Sequence, residues 1–423
     1  MDTEQRIYPN GLKLVVNNNQ NHLACVAVRI SAGSANEKKK FEGISTILEK
    51  SFLCGTNQNP SPKSIRSHIE SFGGVFTSRS ALDAVELSIA CECEHILDAI
   101  DCCAEIVFDT QLKQTDIERT KQFMTAMRKS YESDPNFLCY DELRALVFDG
   151  TGLGFNIMGR AATIDKIVVN DVREFRENAL CGSNITISVT GNADIDTVYE
   201  KVFDCFYSRL LERNGKKIKD VAAIEDNEKR KHATCVVKRL NQSRVGIGYL
   251  TKGSTSRDFL PLSLGLKMME LSVGARLRSI DGIYGPKFQI RSFANNGMLS
   301  IIFACDKDKI DDVLPHVGSV LSDLVKDGFS NDDFDAAKAV FRTEYLSQIQ
   351  TSQEFSRHSA KYFDQTDVAF VVEDELDSIE KITQGDCLRA LRRLVATRAY
   401  LVIVGESVDA QVLLQKFEKK TLK

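Results

Sequence analysis

Apolar positions along this chain follow two rhythms, a period of two and a period near 3.6, and the alternation between them predicts the elements. Val85, Leu87, Ile89, Cys91 and Cys93 recur at every second position and predict a strand on which they share one face. Residues 12–16 and 25–31 are shorter strand-like runs ahead of it. Helical spacing covers residues 44–52 and 61–72, with Pro60 and Pro62 at the entry of the second helix and Gly73-Gly74 at its stop. Helices are predicted next over 95–108, 116–131, 136–148 and 169–180, then a strand over 185–189 and a helix over 195–211.

The order then repeats. A strand over 245–250 leads into an apolar helix over 259–271, and a strand-like run covers 288–305. Within that run Leu299-Ser300-Ile301-Ile302 echoes Leu87-Ser88-Ile89-Ala90. A helix over 310–325 follows, its start expected to be delayed by Pro315 because a proline lacks the N–H an interior position needs. Asp333-Phe-Asp-Ala-Ala-Lys338 echoes Asp116-Ile-Glu-Arg-Thr-Lys121 and opens another helix, and a strand over 400–404 with a helix over 410–417 closes the second half as the first was closed. A repeated element order with weak sequence echo is the sign of a duplicated domain. Residues 212–231 are rich in Lys, Glu, Asp and Asn without apolar periodicity, the character of a solvated linker. The predicted organisation is therefore two α+β domains, 1–211 and 232–423, joined by a charged linker over 212–231.

Length agrees with this division, since 423 residues exceed one ordinary core and suit two domains. A net charge of −4 argues against a nucleic-acid partner, which would need a basic stripe to neutralise phosphates, and no such stripe dominates the chain. No apolar run reaches the length that spans a bilayer, so no direct membrane span is expected. The opening Met-Asp-Thr-Glu-Gln-Arg is acidic and has the character of neither a secretory signal nor a mitochondrial presequence. Twelve cysteines are many, but their spacing forms neither a disulfide nor a zinc framework, and they are read as reduced and structural.

The candidate chemistry lies in residues 43–56, Gly-Ile-Ser-Thr-Ile-Leu-Glu-Lys-Ser-Phe-Leu-Cys-Gly-Thr. An inverted zincin helix carries His-x-x-Glu-His, in which two imidazoles one turn apart bind zinc and the glutamate polarises its water. Thr46 and Lys50 stand at the histidine positions and only Glu49 keeps its identity. A hydroxyl is a poor zinc ligand, and an ammonium carries positive charge into the place of a cation. His68, the nearest histidine on the C-terminal side, stands alone on a predicted helix, ordinarily a surface or packing residue.

This stretch resembles the active-site helix of the family that holds mitochondrial processing peptidase and the core proteins of ubiquinol-cytochrome c reductase. Tyr8-Pro-Asn-Gly-Leu12 is similar to that family's first strand entry, Ala32-Gly-Ser-Ala-Asn-Glu37 to its turn after the second strand, and Gly152-Leu-Gly-Phe-Asn-Ile-Met-Gly159 to its leucine-glycine segment. The resemblance spans nearly the whole chain. It implies two homologous domains, each a mainly antiparallel sheet with helices packed on one side, forming a clam-like chamber. It also implies a third zinc ligand, a glutamate on the helix opened by Asp116. Met127 stands at that position and Thr120 at the position of a supporting glutamate. The degenerate zinc-site positions are thus Thr46, Glu49, Lys50 and Met127, and neither catalytic residue, metal nor cofactor is expected.

The resemblance implies one of two non-catalytic roles, of which the first is favoured. One is a structural core subunit of respiratory complex III on the matrix side of the inner membrane, paired with the other core protein and with further complex III subunits. Residues 335–339, 343–347 and 352–355 resemble the second core protein in particular. The other is a presequence-binding subunit partnering an active zinc peptidase, which Glu49-Lys50 resembles. That subunit carries a glycine-rich segment, whereas residues 267–277 here hold only Gly274, and Asp281-Gly-Ile-Tyr-Gly285 replaces the family's substrate-holding element.

Overall fold

The computed structural model describes residues 2–227 and 229–421. In the first half lie strands β1 (Asp2–Ile7), β2 (Lys13–Asn18), β3 (Leu23–Ile30), β4 (Val75–Ser80), β5 (Val85–Glu92) and β6 (Ile185–Gly191). The helices there are α1 (Ile44–Ser51), α2 (Pro62–Ser71), α3 (Ile96–Asp109), α4 (Gln114–Ser133), α5 (Pro135–Val147), α6 (Ala161–Ile164), α7 (Val169–Ala179), α8 (Ile195–Val202) and α9 (Ser208–Leu211). The second half contributes β7 (Ala233–Val237), β8 (Gln242–Lys252), β9 (Ile283–Ser292), β10 (Asn296–Asp306) and β11 (Tyr400–Gly405). Its helices are α10 (Phe259–Arg278), α11 (Ile310–Asp327), α12 (Asn331–Ser347), α13 (Ser352–Thr366), α14 (Val372–Lys381), α15 (Gln384–Val395) and α16 (Ala410–Thr421).

The chain forms two compact α+β units, the first made of Met1–Arg128, Phe155–Asp220 and Leu346–Val372. Its sheet has the order β1-β2-β6-β3-β5-β4 and is antiparallel except where β2 runs beside β6. Alternation along β3 and β6 gives the sheet two unlike faces. Val26, Val28, Ile187 and Val189 join the apolar core with Ile100, Cys103 and Val107 of α3. The opposite face is polar and is covered by α13. There the Ser356 hydroxyl donates to the Cys25 carbonyl at 3.0 Å, the Asn17 amide donates to Ser359 Oγ at 3.2 Å, and Arg29 Nε donates to Asp364 at 2.8 Å. A sheet buried on both faces needs its polar groups paired, and this seam of hydroxyl, amide and guanidinium groups pairs most of them, while Thr186 Oγ1 of β6 has no partner among the described residues.

The second unit comprises Lys129–Gly154, Val221–Tyr345 and Glu373–Lys423. Its sheet, ordered β7-β11-β8-β10-β9, again has one parallel pair, β7 with β11. Val245, Ile247 and Tyr249 of β8 face the apolar core with Val317 and Leu321 of α11. Between them Gly246 and Gly248 turn to α5, where an added Cβ would meet Cys139 Sγ at 2.9 Å and a Leu143 methyl at 3.0 Å. Glycine here lets a helix lie close on a strand.

Contiguous halves over 1–211 and 232–423 are therefore not what packs together: α5 belongs to the second unit and α13 to the first. One of the passages of the chain between units, Asp220–Val221, falls within the charged stretch 212–231. That stretch is pinned rather than freely solvated. Asn184 donates to the Lys216 carbonyl at 2.7 Å, and Asn296 donates to the carbonyls of Val221 and Ala222. The run 288–305 divides into β9 and β10, and Pro315 sits inside α11 without delaying its start at Ile310. Among the described residues no helix is long and apolar enough to cross a membrane.

Candidate functional site

Helix α1 is preceded by Gly43 at its N-cap, whose φ of 101° is left-handed backbone that favours glycine. A side chain there would also press on Gly159, 3.0 Å from the Cβ position. Buried Glu37 reaches the same terminus, accepting from the backbone N–H of Gly43 at 2.7 Å and of Ser45 at 2.8 Å. Burial pushes the Glu37 carboxyl up to about 8, against the pull of those donors. Buried Glu42 accepts from the Asn156 N–H at 2.7 Å and fastens the 152–159 segment to α1.

Thr46 is buried one turn into the helix, its hydroxyl donating to the Ile157 carbonyl at 2.7 Å and pairing with Ser80 Oγ at 2.7 Å. Glu49 is also buried, accepts a hydrogen bond from the Ser78 hydroxyl, and has the Lys50 ammonium 3.0 Å from Oε2. Lys50 itself is half exposed and bends back over its neighbour. A hollow of about 280 Å³ opens beside this pair, lined by Glu49, Lys50, Leu53, Arg66, Phe76, Thr77 and Ser78. The fold therefore brings Thr46, Glu49 and Lys50 to one side of α1 against β4.

Met127 lies half-buried on α4. One turn before it, the Met124 methyl stands 3.4 Å from the Cβ position of Gly43, so α4 passes the start of α1. Thr120 is buried a turn earlier still. Ser78, Ser80 and Ile157, which hold the α1 side chains, carried no sequence signal, because their role depends on β4 and the 152–159 segment closing over α1. The donor set does not fit the zinc of an inverted zincin: a hydroxyl committed to a carbonyl, an ammonium already on the carboxylate, and a soft thioether.

The segment 267–277 is no flexible loop. It lies inside α10, where Gly274 faces the Phe288 ring, 3.5 Å from its Cβ position. Tyr284 lies on β9, exposed, with its hydroxyl 3.3 Å from Asp306.

A family model for insulinase-type M16 peptidases matches residues 13–161, and a model for the M16 inactive domain matches residues 166–341. The chain belongs to the M16 peptidase family. It is 24% identical over 225 residues to the mitochondrial-processing peptidase subunit beta of Dictyostelium discoideum, a match covering 53% of this chain and 48% of that protein. It is 19% identical over 409 residues to cytochrome b-c1 complex subunit 1 of Caenorhabditis elegans, covering 92% of this chain and 85% of that one. An uncharacterized zinc protease of Mycobacterium tuberculosis is 22% identical over 398 residues, covering 91% and 88%. Among solved structures, a protease from Helicobacter pylori superposes with a TM-score of 0.84 at 17% identity, over 96% of this chain and 99% of that one. A chain of complex III2 from Candida albicans superposes with a TM-score of 0.79 at 14% identity, over 98% and 99%. These two likenesses establish the two-domain M16 fold.

Proposed function

We propose that this chain is a non-catalytic structural core subunit of mitochondrial ubiquinol-cytochrome c reductase, acting in the assembly and stability of that complex. The observation that carries the reading is the state of the α1 frame. Lys50 neutralises Glu49 at 3.0 Å and the Thr46 hydroxyl is spent on the Ile157 carbonyl, so the groups that elsewhere bind metal and activate water serve the fold. The match to the nematode cytochrome b-c1 subunit extends over 92% of the chain, which supports a subunit of that kind. Mitochondrial relatives support a mitochondrial location. In this reading the chain lies on the matrix side of the inner membrane, with the other core protein as partner.

A second reading is a presequence-binding subunit paired with an active zinc processing peptidase. The likeness to processing-peptidase beta subunits favours it, while the helical setting of Gly274 leaves no glycine-rich loop at 267–277. Capture of the chain from its own cells under mild detergent, with identification of the bound subunits, separates the readings. Haem-bearing complex III subunits in stoichiometric amount are expected. A partner bearing an intact His-x-x-Glu-His supports the second reading, and presequence hydrolysis by the lone chain that Glu49→Gln abolishes overturns both.

A further inference from the structure

Beneath the end of α2 the fold assembles a donor cluster that shares no residue with the α1 frame. Cys102 and Glu105 stand one turn apart on α3, and His68 approaches from the last turns of α2. A ring nitrogen of His68, Cys102 Sγ and a Glu105 carboxylate oxygen all lie within 4.8 Å of one another. Cys102 and Glu105 are buried, and His68 is exposed, so the cluster is closed on the core side and reached from solvent past the imidazole. Among the described residues neither the Cys102 thiol nor the His68 ring has a hydrogen-bond partner, although Cys102 has no access to solvent.

The carboxylate, by contrast, is held. Glu105 Oε1 accepts from the Thr56 hydroxyl and from Asn59 Nδ2 at 3.0 Å, while Oε2 receives only the longer 3.3 Å contact from the same amide. One oxygen is thus oriented and the other is left with coordinating capacity, the arrangement in which outer hydrogen bonds aim a metal ligand. Thr56 and Asn59 both lie on the connection between α1 and α2, where the Asn59 backbone N–H donates to Thr56 Oγ1 at 2.9 Å.

We infer that His68, Cys102 and Glu105 form a three-donor site for a divalent transition metal, zinc by the character of its ligands. Thiolate, imidazole and carboxylate are the three zinc ligand types, and their combination neutralises the ion's charge. In a tetrahedral shell such donor atoms sit roughly 3.5 Å apart, so side-chain rotations on metal entry would draw the three atoms onto the ion. Three protein ligands leave the fourth position to water or an outside ligand. Cys102 binds a metal as the thiolate, so metal entry releases the thiol proton.

The full chain, stripped by chelator and titrated with Co(II) alone, tests this. One equivalent is expected to bind with thiolate-to-cobalt charge-transfer absorption, and Zn(II) is expected to displace it. Cys102→Ser should remove the absorption, and His68→Ala, at an exposed position, should weaken binding at least about tenfold with an unchanged circular dichroism spectrum. Thr46→Ala and Lys50→Ala should leave binding unaltered, which separates this site from the α1 frame and from the proposed role of the chain. Absence of the charge-transfer band, its persistence in Cys102→Ser, or unchanged affinity in His68→Ala overturns the inference. Should Cys102→Ser fail to fold, the His68→Ala affinity decides alone.

Discussion

Lys50 holds its ammonium 3.0 Å from the carboxylate of Glu49, the residue immediately before it on α1. Successive residues on a helix do not face each other, so the contact exists because the long lysine stem folds back along the helix surface over a buried neighbour. The Ser78 hydroxyl completes the carboxylate's partners from β4. Replacing Lys50 with Met leaves a buried carboxylate with a single neutral donor. Since Lys50 is half exposed, the expected loss is moderate, about 1–3 kcal/mol in urea unfolding, and Lys50→Arg should recover most of it.

Thr46 makes the same point by hydrogen bonding alone. Its hydroxyl serves both the Ile157 carbonyl and Ser80 Oγ in a fully buried position. Thr46→Val keeps the shape and orphans both partners, an expected cost of about 1–3 kcal/mol. Thr46→His, the substitution that restores a zincin ligand by identity, overfills the site and is expected to lower the urea midpoint as well.

Arg29 is the centre of a buried charge cluster on the α13 side of the first sheet, donating to Asp83 at 2.7 Å and to Asp364 at 2.8 Å and pairing with Glu86. The Arg29 guanidinium holds the Asp83 and Glu86 carboxyls below their ordinary range against the opposing effect of burial. A carboxyl depressed in the folded state binds fewer protons there than in the unfolded chain. Its stabilisation is therefore full above the ordinary carboxyl pKa near 4 and is lost as pH falls through the depressed folded values. Arg29→Met should cost about 3–5 kcal/mol at pH 7 by leaving carboxylates buried without their cation, and should flatten the acid limb of a stability-against-pH curve.

His358 on α13 supplies a second pH dependence in a different window. Burial, with the Lys361 ammonium beside it, pushes its imidazole down to about 4, and the ring sits edge-on to Phe370 at 4.4 Å. The unfolded chain takes up this proton near pH 6.5 and the folded chain does not. Stability is therefore full above about 6.5 and declines as pH falls from there toward about 4. Urea midpoints between pH 7 and 5 should fall in the native chain and fall less in His358→Phe.

The seam between α13 and the first sheet tests the exchange of helices between halves. Asn17 donates to Ser188 Oγ at 3.2 Å, Thr190 Oγ1 at 3.3 Å and Ser359 Oγ at 3.2 Å. Asn17→Leu strands these hydroxyls under α13, with an expected loss of about 1–3 kcal/mol. Proteolysis near residues 346–372 should accelerate in the same variant, because that segment joins the first unit through this seam.

The elements of the first half were legible wherever periodicity was strong: predicted helices 61–72, 95–108 and 169–180 correspond to α2, α3 and α7. Edge strands β1 and β4 were not, since their exposed or half-buried positions carry no alternation of full apolar residues. Helices α14 and α15 pack one narrow apolar stripe among many charges, too weak a pattern to stand out.

The sequence by itself determined the α+β class, the duplication, and the loss of histidine identity at Thr46 and Lys50, because each is written in residue type and local spacing. Only the tertiary structure decided what became of those positions. It placed Ser78 and Ser80 of β4 and Ile157 over α1, sent α5 and α13 to the sheets of the opposite halves, and drew His68 to Cys102 and Glu105. Such contacts join residues far apart in the chain. No period of two or 3.6 records them, and they exist only once burial has fixed which faces meet.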